Sequence, residues 1–155
     1  MDRVGRRHRP NDQVALMMVK KVGHVGLVVR DLDLSVAFYE GLGLVLWKRM
    51  VRSGPFTDAM VGIPNVKLEW AKMHAPDGSE VELIQYHSLP DYSTLRNAPS
   101  NRRGCSHVAF VVDDLARACE QIIRTGGSVV NHPTPEWNSV YCHDPDGIIV
   151  ELVRA

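Results

Sequence analysis

The stretch HVGLVVRDL opens at His24, and HVAFVVDDL opens 83 residues further on, at His107. A chain of 155 residues that carries nearly the same segment twice reads as a duplication, so both copies are expected to fold alike. Each copy alternates as a strand; in the first, His24, Gly26 and Val28 share one face, and Val25, Leu27 and Val29 the other. LSVAFYEGLGL then sets Leu34, Ala37, Phe38 and Leu42 at helical spacing. Asp31 or Asp33 can cap that helix, and Gly41 and Gly43 mark its end. In the second copy the stripe is Leu115, Ala118, Cys119, Ile122 and Ile123, preceded by Asp113 or Asp114 and stopped by Gly126 and Gly127.

The copies also end alike. PDGSEVELIQY closes the first and PDGIIVELVRA the second, a Pro-Asp-Gly turn before an apolar strand. Glu82 and Glu151 each lie four residues past the turn glycine. Between helix and turn there is room for two more strands, around residues 44–51 and 66–73, then 128–132 and 139–143. The expected fold is α+β: tandem βαβββ modules forming a cupped mixed sheet with helices outside. Residues 1–19 read as a basic arm, 20–87 as the first module, 88–104 as a linker and 105–155 as the second module. Neither half buries a full sheet face alone, so the two should share a core.

Composition removes several function classes. Lys+Arg and Asp+Glu both total 18, so no net charge points to nucleic acid or an anionic membrane. No apolar run approaches the roughly 20 residues of a spanning helix. MDRVGRRHRPNDQ is basic but is followed by no signal-peptide core, and reads as a solvated arm. Cys105, Cys119 and Cys142 form no CxxC pair and are odd in number, as expected of free thiols in a reducing cytoplasm.

Each module therefore offers a histidine near the start of its first strand and a glutamate in its last. A lone strand histidine is usually a satisfied core residue, and a lone strand glutamate usually faces water. Here both glutamates interrupt apolar strands, and both recur at equivalent positions. His24, Glu82, His107 and Glu151 make a set of two imidazoles and two carboxylates. That mixture suits one divalent Fe, Mn, Co, Ni or Zn ion, with positions left for substrate oxygens.

GHVGLVVRDLDLSVAFYEGLGL, VELIQY, GCSHVAFVVDDL and DPDGIIVEL together resemble the vicinal oxygen chelate superfamily, which holds glyoxalase I, methylmalonyl-CoA epimerase, extradiol dioxygenases and bleomycin and fosfomycin resistance proteins. The resemblance covers about residues 20–155. It implies a metal at His24, Glu82, His107 and Glu151 that polarises two neighbouring oxygens of a small substrate and stabilises an enolate. Four protein ligands favour the glyoxalase and epimerase branch, an isomerase, epimerase or lyase in which Glu151 serves as base. A ring-cleaving dioxygenase and a non-catalytic drug- or metabolite-sequestering protein are the alternatives. The implied partners are a small molecule with adjacent oxygens and a second copy in a homodimer, with no nucleic acid and no membrane.

Pairing Lys72 with Glu80 across the first module's last hairpin sets Glu82 against Trp70 and Ile84 against Leu68. Glu69 then faces away from the metal and is not catalytic, while Trp70 and Tyr86 share the Glu82 face. His74 and His132 read as exposed, and His87 and His143 as loop or rim residues. Arg96, Arg102 and Arg103 crowd the linker, as a solvated segment or a docking point for an anionic handle.

Overall fold

The computed structural model describes residues 19–91, 99–104 and 107–155. Arg96, Cys105 and nearly all of the expected N-terminal arm lie outside the described residues. The first module runs β1 (Val25–Val28), α1 (Leu32–Gly41), β2 (Val45–Ser53), α2 (Pro55–Val61), β3 (Lys67–His74) and β4 (Glu80–Tyr86). The second runs β5 (His107–Val112), α3 (Leu115–Arg124), β6 (Ser128–Val129), β7 (Ser139–His143) and β8 (Ile149–Arg154). Each folds into a four-stranded sheet, ordered β1-β4-β3-β2 and β5-β8-β7-β6. β1 is parallel to β4 and β5 to β8, while the remaining pairs are antiparallel. The structure is α+β with two mixed sheets.

The duplicated aspartates do the same work twice. Asp31 caps α1 by accepting from the Leu34 amide at 3.0 Å, and Asp114 caps α3 by accepting from the Arg117 amide at 3.0 Å. The apolar stripe of α1 differs from expectation. Leu34 and Ala37 face solvent, and the buried residues are Leu32, Ser35, Val36, Phe38 and Tyr39. Two of the helix's inward positions are polar, so an apolar count misses them; Tyr39 is tolerated there because its hydroxyl donates to Asp144 at 3.2 Å. On α3, Leu115, Cys119 and Ile122 are buried, but Ile123 is exposed. The helix α2 has no counterpart in the sequence reading. It starts with Pro55 after Gly54 and ends at Gly62, whose φ of 71° only glycine adopts readily.

One core joins the modules. Phe38 and Tyr39 of α1 pack with Cys119 and Ile122 of α3 and with Cys142 and Leu152 of the second sheet. At Gly41 a Cβ would stand 2.6 Å from Thr125 Cγ2, so the end of α1 meets the end of α3 at a contact where any larger residue would push the Thr125 and Gln121 side chains aside. Val81 and Leu83 of β4, and Val150 and Leu152 of β8, point into this core. Strand alternation therefore sends Glu82 and Glu151 to the opposite faces of their sheets, away from the helices. Among the described residues, no helix is long and apolar enough to cross a membrane.

Candidate metal centre in two halves

The helix-free face of the first sheet is built by the odd-even alternation of its strands. His24 leads into β1, whose register with β4 sets Gly26 beside Glu82. The His24 Nε2 atom stands 3.3 Å from Glu82 Oε2, and its Nδ1 faces Glu80 Oε1 at 3.8 Å. The second module repeats this. His107 Nε2 lies 3.1 Å from Glu151 Oε2, and its Nδ1 faces the Tyr141 hydroxyl at 3.5 Å. Glu82, His107 and Glu151 are half-buried, open to small molecules but partly withdrawn from bulk water, while His24 is exposed.

These spacings bear on metal binding. Two donors each about 2.1 Å from one ion stand about 3.0 Å apart at a right angle and about 3.4 Å apart at the tetrahedral angle. Both His–Glu pairs match that range. A ligating imidazole also needs its second nitrogen engaged; Tyr141 stands within hydrogen-bond reach of His107 Nδ1, whereas Glu80, held by Lys72 and His74, is only a nearby charge for His24. The residues fit the ion two by two. Among the described residues of a single chain, no group of three or more His, Cys, Asp or Glu side chains is placed to hold one metal.

Around the first pair the hairpin register differs from expectation by two residues. His74 faces Glu80, Lys72 faces Glu82, and Trp70 faces Ile84. The Pro-Asp-Gly turn sets this, through the Ala75 amide donating to the Ser79 carbonyl at 2.9 Å. Lys72 still reaches Glu80 at 2.6 Å, but as a diagonal neighbour. A shift of two preserves every face. Trp70 and Tyr86 accordingly share the face of Glu82, and Glu69 lies on the helix side, bound to Arg49 at 2.6 Å and His87 at 3.0 Å. The Arg49 hydrogen bond holds the Glu69 carboxyl below its ordinary range.

His74 is not a free surface residue: it is half-buried, stacks on Trp47 with ring centroids 5.0 Å apart, and contacts Glu80 at 3.1 Å. His87 serves Glu69 rather than the rim. His143 lies on the Glu151 face of β7, with Ser128 Oγ 3.5 Å away, and His132 is exposed. Arg102 and Arg103 are exposed in the linker. Sequence reasoning missed Tyr141 and Glu80 as neighbours of the imidazoles, although their alternation with the buried Val140, Cys142 and Val81 was a usable signal.

A family model described as the Glyoxalase/Bleomycin resistance protein/Dioxygenase superfamily matches residues 21–152. A curated relative, lactoylglutathione lyase from Neisseria meningitidis, is 31% identical over 84% of this chain and 88% of its own length. Lactoylglutathione lyase from Salmonella typhimurium is 29% identical over 85% of this chain and 90% of its own. Among solved structures, a glyoxalase family protein from Bacillus cereus superposes with a TM-score of 0.80 at 28% identity, covering 88% of this chain and 94% of that one. A trypanothione-dependent glyoxalase I from Leishmania major shares the fold, with a TM-score of 0.62 at 20% identity over 88% of this chain and 87% of that one.

Proposed function

This chain belongs to the Glyoxalase/Bleomycin resistance protein/Dioxygenase superfamily, and we propose that it is a lyase of the glyoxalase type, moving a proton beside a carbonyl in a small substrate with two adjacent oxygens. The observation that carries this reading is the doubled His–Glu contact, 3.3 Å for His24–Glu82 and 3.1 Å for His107–Glu151, at matching repeat positions. The relatives named lactoylglutathione lyase favour a lyase over an epimerase or a dioxygenase.

The four ligands would come together across two copies of the chain, His24 and Glu82 from one, His107 and Glu151 from the other. β1 and β5 are edge strands with one open side each. Val28 on β1 and Val111 on β5 occupy equivalent repeat positions and are 57% and 72% exposed. Pairing β1 of one copy with β5 of a second covers both edges and both valines, twice over, about a two-fold axis. A divalent ion held there would supply positive charge at the substrate oxygens. Glu151 would then take the carbon-bound proton, as a half-buried carboxylate within reach of a substrate beside His107.

Hemithioacetals formed from a 2-oxoaldehyde and a panel of thiols, glutathione among them, provide the assay. Protein loaded with Mn, Co, Ni or Zn should convert at least one to its thioester, with loss or solvent exchange of the carbon-bound proton. Glu151→Gln should lower turnover by about 100-fold or more, with metal content measured alongside. Oxygen uptake on catechols, or tight retention of ligand without turnover, would replace this reading with the dioxygenase or the sequestering one.

A further inference from the structure

The helix-free face of the first module holds a cluster that the His–Glu pairs do not explain. Lys48 on β2 and Lys72 on β3 are direct cross-strand partners, an arrangement in which like charges repel. Both reach the same indole, with Lys48 Nζ 6.0 Å and Lys72 Nζ 5.8 Å from the Trp70 ring centre. An aromatic face attracts each ammonium but does not cancel the repulsion between them. Glu80 neutralises Lys72 at 2.6 Å, while no carboxylate among the described residues pairs with Lys48. Arg52, four residues along β2 from Lys48, adds a third cation on the same side.

This surplus charge borders the proposed centre. Lys72 faces Glu82 on its other flank, so the lysines sit one and two strands from the His24–Glu82 pair, about 5–10 Å away. A local violation of charge pairing on a strand face is expected at functional positions. We infer that Lys48 and Lys72, set around Trp70, bind the carboxylate of an anionic substrate whose adjacent oxygens reach the His24–Glu82 side. The inference rests on the proposed function of that site and narrows its substrate to carboxylate-bearing molecules. With Glu80 and Glu82 set against Lys48, Lys72 and Arg52, the cluster offers a single net charge, which a carboxylate matches and a phosphate dianion exceeds.

The test uses the full chain stripped of metal, so its outcome does not depend on whether the four ligands hold an ion; that is read separately from metal content. The Trp70 indole N–H signal, assigned by a Trp70→Phe variant, is followed by NMR during titration with pyruvate, uncharged hydroxyacetone or inorganic phosphate. Pyruvate should move the signal saturably, and hydroxyacetone should not. Lys48→Gln, at an exposed position whose loss leaves the core intact, should weaken pyruvate binding about tenfold, and Lys72→Gln by a similar factor. An unmoved Trp70 signal, unchanged pyruvate affinity in Lys48→Gln, or tighter binding of phosphate than of pyruvate would each overturn the inference.

Discussion

Asp144 stands where the two modules meet. One carboxylate oxygen accepts from the backbone amides of Asp146 at 2.9 Å and Ile148 at 2.8 Å, and the other from the Tyr39 hydroxyl at 3.2 Å. Burial pushes its pKa up from 3.8 to about 6, helped by the nearby Asp146 charge and opposed by the backbone amides and Tyr39. Arg30 engages Asp146 at 3.5 Å, and among the described residues no cation pairs with Asp144. A carboxyl whose folded pKa is raised favours the folded state when protonated. Its contribution is therefore fully present below about pH 4 and is lost as pH rises through about 6. Two pKa units correspond to roughly 3 kcal/mol at most. Asp144→Asn retains the acceptor for both amides and removes the titration. Its melting temperature relative to wild type should rise between about pH 4 and pH 7 and level off above that, a trend read by scanning calorimetry. A constant offset across that range would show that Asp144 stays ionised throughout.

At the scale of elements, the strands and their faces were legible because duplication doubled a period-two signal. The strand β7 falls on the expected residues 139–143, and His24, Glu82, His107 and Glu151 all face away from the helices as alternation requires. The register of β3 on β4 was not legible from charge, since a lysine stem spans a diagonal as readily as a direct pair, and the turn decides instead. The inward face of α1 was obscured by Ser35 and Tyr39: the Tyr39 hydroxyl is answered by Asp144, far away in sequence, and the buried Ser35 hydroxyl has no hydrogen-bond partner among the described residues. In α2 the cues were local, Pro55 at the start and Gly62 at the end, but the helix spans only seven residues and shows little periodicity. The open edges of β1 and β5 belong to this scale too. A lysine on an edge strand blocks pairing with another chain. Val111→Lys, at a position already 72% exposed, should leave the folded chain intact and convert the proposed dimer to monomer in sedimentation. Loss of the fold itself would place Val111 in the core instead; an unchanged dimer would place the interface elsewhere.

For the whole molecule, the helical sides of both modules close on one core, and the two His–Glu pairs lie on faces outside it. That division is what makes a second copy necessary to the proposed centre, and the sequence left open whether the modules meet within a chain or between chains. Two variants decide it. His24→Ala and His107→Ala should each lose the tightly bound metal. When the two are unfolded, mixed in equal amounts and refolded, half the dimers should be mixed. Each mixed dimer then carries one site with both defects and one wholly intact, so about a quarter of wild-type metal content should return. Metal content measured after mixing is the most direct test, with exchange verified by a tag on one variant. Recovery to that level is the predicted result. Mixed dimers that bind no metal, beside wild-type monomers that hold one ion each, would contradict a centre shared between two chains.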